Sequence, residues 1–283
     1  MIGAWLADWS LDPAVATTAL LAFLYALGSS RTVTPARAVR AQRVRDGAFY
    51  AAVAVLVVAL ASPVDTYSDK LFWVHMVQHV LLMLVAAPLI VYARPWIRLW
   101  RALPLALRRP LARGLVQGSA AAPLRVAARA AGSPAGALTL FAAVLLGWHV
   151  PALFEATLES EAVHILEHVL FFAVAVLFFK HLIPSPPLRA PLGDAGRALF
   201  AVAGMTVSWV LAVVLAVAPE PLYSHYADLA SRPGGISALA DQQLAAGVMW
   251  VPGSVTFLIL VLVHVHRWLA APAASEPRLA GGH

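Results

Sequence analysis

Two histidines and two methionines sit in HMVQHVLLMLVAAP, residues 75–88, inside an otherwise apolar run. Imidazole nitrogen and thioether sulfur are both metal donors. At 100° per residue, His75, His79, Met83 and Met76 fall within one helical arc of about 100°, with Gln78 on the other flank. A second pair, His164 and His168, has the same i, i+4 spacing in EAVHILEHVLFF. That spacing places two imidazoles on one helical face, where both can reach one ion. His149 in GWHVP and the residues Asp241, Gln242 and Met249 in DQQLAAGVMW complete the candidate set. The plain alternative for His149 is an interfacial hydrogen bond, and for the three methionines it is packing. The two histidine pairs fit that alternative less well.

The chain has no cysteine, which excludes disulfides and thiolate metal sites. Histidine and methionine with few carboxylates suit copper, Cu(I) above all. Zinc would accept the imidazoles but gains little from thioethers. Haem b, held by His79 and His168 from facing helices, is the competing cofactor. An iron or zinc centre drawing on Glu161, Glu167 or Asp241 ranks below both. The expected metal ligands are His75, His79, His164 and His168, followed by His149 and Met83. Asp241 and Gln242 are expected to orient a ligand imidazole through its other nitrogen, with Met76 and Met249 in supporting positions.

These residues need elements to carry them. Of 283 residues, 61% are hydrophobic and 12% charged, where soluble domains are about a quarter charged. The composition points to a polytopic membrane protein. Seven apolar segments are expected to cross the bilayer, at about 11–29, 47–63, 71–92, 135–153, 161–183, 197–218 and 243–267. Backbone groups in lipid must bond internally, so the fold is expected to be an all-α bundle of seven transmembrane helices. MIGAWLADWSLDP lacks the basic stretch of a cleaved signal, so the first span is expected to stay in the membrane. The tail, 269–283, is rich in Ala, Gly and Pro and is expected to be disordered.

Loop charge sets the orientation. Arg31, Arg37, Arg40, Arg43 and Arg45 face one acid, Asp46, and the 93–134 stretch carries eight arginines and no acid. The alternate loops are acidic or mixed, with Asp65, Asp69 and Lys70, then Glu155, Glu159 and Glu161, then Glu220, Asp228, Arg232 and Asp241. By the positive-inside rule the N-terminus is outside and the C-terminus cytoplasmic. RPWIRLWRALPLALRRPLARGLVQ, within 93–134, reads either as a plain cytoplasmic loop or as an interfacial amphipathic helix. The net charge of +6 is then loop charge, and nucleic acid is not an expected partner. On this topology His75 lies about 6 Å and Met83 about 18 Å below the outer surface. His149, His164, His168, Asp241, Gln242 and Met249 also fall in the outer half. Ionisable side chains at such depth face a bundle interior, a cavity or a partner. Nothing resembles a nucleophile–base pair or a phosphate loop, so no enzymatic activity is expected.

The set HMVQHVLLMLVAAPLIV, GWHVPALFEATL, HILEHVLFF, LYSHY and DQQLAAGVMW, in this order over roughly 45–268, resembles the seven-span cytochrome c oxidase assembly factors of the caa3-type CtaG family. The resemblance implies a multi-pass bacterial plasma-membrane protein needed for active haem–copper oxidase. It also implies copper supply, with oxidase subunits, the lipid bilayer and an outer-face copper chaperone as partners. The family's histidine motifs map to His75, His79, His149, His164 and His168, and its DQQ motif to Asp241, Gln242 and Gln243. LFFKHLIPSPP, 177–187, stands where family members carry a Trp-rich end to the fifth span. A metal-free assembly scaffold, whose histidines only hydrogen-bond across the bundle, is the remaining reading.

Overall fold

Proline and serine punctuate the chain. Pro63, Pro134 and Pro151 each stand in the first turn of a helix, where the missing N–H costs nothing. Ser62, Ser133 and Ser237 cap helices by accepting from Val64, Gly136 and Ala240 N–H. The computed structural model describes residues 13–271 and, among them, holds helices and turns but no strand. In chain order α1 is Pro13–Ser30, α2 Val39–Ala61 and α3 Pro63–Ser68. The next helix, α4, spans Phe72–Ala93 and contains a π-helical turn at Leu81–Ala86. The Arg-rich stretch is helical: α5 (Trp96–Ala102), α6 (Leu105–Gln117) and α7 (Ala122–Ala131). The rest is α8 (Pro134–Trp148), α9 (Pro151–Glu159), α10 (Glu161–Phe179), α11 (Asp194–Val217), α12 (Ser224–Ala227) and α13 (Ala238–Ala270).

Five helices are long and apolar enough to cross a membrane: α2 with its leading turn (Ala36–Ala61), α4, α10, α11 and α13. The count becomes six if Ser119–Ala131 and Pro134–Trp148, bent by 83° at their junction, form one broken span. Seven were expected from the sequence. The first expected span yields a shorter apolar helix, Val15–Ser30, and its residues 11 and 12 lie outside the described residues. The fourth was expected to run to residue 153, but the helix stops at Trp148. Pro151 disfavours the helical region for Val150, which is extended at ψ 127° and starts α9 in a new direction. The expected disordered tail begins inside α13, which continues to Ala270. Its part beyond residue 271 lies outside the described residues.

The exterior of the long helices is apolar. Leu166 and Val169 on α10, Leu199 and Val210 on α11, and Val255 and Leu262 on α13 are all exposed. Such a surface is at home in hydrocarbon and out of place in water. The interior packs by aromatic rings, with Phe178 stacked on Phe200 at 4.6 Å and meeting Phe141 at 4.6 Å. At one end α1, α2 and α5 are tied by charge. Tyr25 O–H donates to Asp46 at 2.6 Å, Gln42 donates to the same oxygen at 2.8 Å, and the buried Arg98 pairs with both Asp46 and Tyr25.

Gly28 lets α1 approach α5 closely. A Cβ there would lie 1.8 Å from the Arg98 carbonyl oxygen, so the two helices must part if one is added. Gly28→Ala is expected to cost about 1–3 kcal/mol, as overpacking commonly does, seen as a lowered thermal midpoint in detergent.

Candidate metal centre

Three helix starts and one helix end converge at the opposite end of the bundle from Arg98. Asp241, in the first turn of α13, accepts from the backbone N–H groups of Phe72 and Trp73 at 3.0 and 2.9 Å. It thereby satisfies two unpaired donors of α4 and fixes that helix start. Gln78 donates to the Ala59 carbonyl and to Asp65, at 2.9 and 2.8 Å, which sets the rotation of α4 against α2 and α3. His75 and His79 then face α10.

All five sequence-predicted histidines meet there. Ring centroids lie 4.5 Å apart for His75 and His79 and 4.2 Å for His164 and His168. Across the helices they are 5.2 Å for His75 and His164, 5.6 Å for His79 and His168, and 6.2 Å for His79 and His149. The tightest donor group is His75, His79, His168 and Glu167, whose ligand atoms all lie within 4.8 Å of one another. All four residues are buried. Glu167 Oε2 is 3.7 Å from His75 Nε2 and 3.6 Å from His79 Nε2. Neither of its oxygens has a hydrogen-bond partner among the described residues, and nor does His168 Nε2. A buried carboxylate without a donor is costly unless a cation or a proton joins it.

Hydrogen bonds behind the cluster assign the protons. Tyr226 O–H donates to the Ser68 carbonyl at 2.6 Å, so its oxygen must accept from His75 Nδ1–H at 3.2 Å. In a neutral imidazole this leaves His75 Nε2 as a bare lone pair aimed into the cluster. His79 Nε2 lies 3.0 Å from it, so without metal a proton of His79 sits between them. A metal ion at His79 Nε2 shifts that proton to Nδ1, which has no hydrogen-bond partner among the described residues, so binding switches the tautomer. Tyr226 is held in turn by its neighbours on α12. Ser224 N–H and Oγ–H both donate to Glu155, which keeps that carboxyl below its usual range. Tyr226→Phe frees the His75 tautomer, and metal affinity is expected to fall about 10- to 100-fold. Competition against a chelator of known affinity measures it.

The geometry also places the other expected residues. The side chains of Asp241 and Gln242 bond to backbone groups. Asp241 caps α4, and Gln242 braces the loop before α12 through Leu222 N–H at 2.7 Å and the Leu215 carbonyl at 3.1 Å. Both bind backbone because their helix starts where other chain ends present unpaired groups. Met83 is not in the four-residue group; it lines a small separate cavity with His79, His149 and Met249. His149 also stands apart, as does Met76, whose sulfur lies against it. His164 packs on His168 but is not one of the four. Glu167 and Tyr226 were underrated. Glu167 had a signal, an acid within an apolar span, and Tyr226 had only its place in the LYSHY motif, which says nothing of its role.

A cleft of about 640 Å³ opens beside the cluster. Asp65, Asp69, Glu161, His164 and His168 line its polar side. His168 belongs to both cleft and cluster, so the buried donors communicate with an acidic vestibule.

No curated protein and no solved structure matches the chain. A model of the cytochrome c oxidase caa3 assembly factor family does match, over residues 21–271, a stretch that includes the whole cluster and agrees with the resemblance carried by the histidine motifs. The chain belongs to the cytochrome c oxidase caa3 assembly factor family.

Proposed function

We propose that the protein binds copper at His75, His79, His168 and Glu167 and delivers it to a haem–copper oxidase under assembly. The single observation that carries this reading is the buried Glu167 carboxylate, which has three imidazoles around it and no hydrogen-bond donor among the described residues. Three imidazoles and a carboxylate would also hold zinc. The thioethers of Met76, Met83 and Met249 close by favour copper. The carboxylate alters the sequence expectation in one respect. It is a hard donor that neutralises the ion's charge, so a site built only for soft Cu(I) no longer describes the cluster.

The membrane arrangement follows the loop charges. α1 and α8 cross together with the five longer helices, the N-terminus is outside, and the cluster lies in the outer half of the bacterial plasma membrane. There an oxidase subunit or an outer-face copper chaperone reaches the acidic cleft. The protein is a carrier and no reaction is catalysed. Haem b is disfavoured by space: His75 Nε2 at 3.0 Å and Glu167 Oε2 at 3.6 Å already flank His79 Nε2, where a macrocycle would lie.

The test is metal counting. Detergent-purified protein is loaded with Cu(I) under reducing conditions, and bound copper is measured for wild type, His79→Ala and His168→Ala. Loss of one copper per chain in each variant is expected. Unchanged stoichiometry in both would sink the site, and a Soret band in the purified protein would restore the haem reading.

A further inference from the structure

His149 ends α8, and its ring serves that helix end. Nδ1 lies 2.7 Å from the Leu145 carbonyl, an acceptor only, so Nδ1 carries the hydrogen and donates it. In the neutral ring Nε2 is then a bare lone pair. The atom 3.4 Å in front of it is Met76 Sδ, which has no hydrogen to give. Two lone-pair donors therefore face each other, one from α8 and one from α4, and both residues are buried. With metal–nitrogen and metal–sulfur bonds of the lengths met at zinc, about 2.0 and 2.3 Å, a 3.4 Å separation closes an angle of about 105° at a shared ion. The pair is thus spaced as a chelate.

The surroundings are soft as well. A cavity of about 30 Å³ adjoins His149 and is lined by Met83, Met249 and His79, with Phe141, Leu145 and Ser208 also in its wall. That is room for about one water-sized body. Two further thioethers face it, and no carboxylate does. Thioether and imidazole without a carboxylate favour Cu(I) over zinc or Cu(II), and the one hydroxyl in the wall, Ser208, donates its hydrogen to the Gly204 carbonyl at 3.2 Å. The four-residue cluster with Glu167 has the opposite bias. His79 belongs to the cluster and also lines this cavity.

We infer that His149 Nε2 and Met76 Sδ form a second metal station, selective for Cu(I), next to the His75–His79–His168–Glu167 cluster. The inference rests on the copper reading above and adds a soft site of different selectivity. His79 stands between the two stations and gives an ion passing from one to the other a ligand at each step. The copper stays Cu(I) throughout, so the transfer exchanges ligands and needs no electron.

The experiment compares wild type with Met76→Leu, a swap of similar volume that leaves packing nearly intact. Both proteins are loaded with Cu(I) and, separately, with Co(II), whose visible ligand-field bands report the cluster. X-ray absorption at the copper edge reports sulfur neighbours. Wild type is expected to hold two Cu(I) per chain with a sulfur shell. Met76→Leu is expected to hold one, without that shell, and to keep the Co(II) spectrum unchanged. One Cu(I) per wild-type chain with only nitrogen and oxygen neighbours overturns the second station, and so does a sulfur shell that persists in Met76→Leu. Co(II) bands that survive His168→Ala overturn the cluster instead, while the sulfur shell still decides the second station.

Discussion

Glu167→Gln is expected to lower metal affinity at the cluster by at least about 100-fold, more than the 10- to 100-fold typical of residues that only support a ligand. The same substitution is expected to leave the metal-free protein no less stable than wild type. Both effects come from one fact: the carboxylate is buried against His75 and His79 at 3.7 and 3.6 Å without a hydrogen-bond donor among the described residues. Without metal it is an uncompensated charge in a medium of low dielectric, and the amide removes that cost. With metal, the charge is what balances the ion. Thermal unfolding in detergent, with and without added metal, reads both effects at once. Wild type should gain markedly from metal and Glu167→Gln only slightly. A variant as metal-responsive as wild type would remove Glu167 from the centre. In cells lacking the natural gene, the same variant is expected to leave the oxidase short of copper.

Asp46→Ala is expected to destabilise the bundle more than Arg98→Leu, by about 3–5 kcal/mol, the usual cost of stranding a buried charge. The asymmetry follows from exposure. The Arg98 side chain is 9% exposed and that of Asp46 is 32%. Removing Asp46 leaves a guanidinium that water scarcely reaches, with only Tyr25 as a side-chain partner. Removing Arg98 leaves a carboxylate that water reaches, and Tyr25 and Gln42 still donate to it. Arg98→Leu is therefore expected to cost less, about 1.5–3 kcal/mol, the size of a lost hydrogen bond to a charged group. Unfolding midpoints of the two variants check the order. Because this network lies at the far end of α1, α2 and α5, neither change should alter metal stoichiometry.

The histidines were legible because an imidazole in an apolar span is conspicuous, and i, i+4 spacing needs only an α-helix to become a face. His75, His79, His164 and His168 come together as that reasoning requires. The long helices α2, α4, α10, α11 and α13 were legible from hydropathy in the same way. What the sequence hid was tertiary. Asp241 was expected to orient an imidazole, yet its carboxylate binds the backbone of α4. Only the approach of α13 to the start of α4 shows which unpaired groups it meets. Tyr226 reads as one aromatic among several until its oxygen is seen between Ser68 and His75. The fourth span ended early because the weight of Pro151 depends on whether the chain turns there, and hydropathy cannot report a turn.

The π-helical turn at Leu81–Ala86 falls two residues after His79 and just ahead of Pro88. Such a turn carries one surplus residue compared with an α-helix of the same rise. The surplus works as a phase shift along α4, so the angular setting of His75 and His79 is uncoupled from that of the half which packs against α2 below. Deleting one residue within 81–86 would restore a regular helix and re-phase the two halves by about 100°. Length and hydropathy would be nearly unchanged, but the imidazoles would swing away from Glu167. The metal centre is thus encoded in a spacing count as well as in residue types, and a single-codon deletion that removes none of the four cluster residues is expected to erase it.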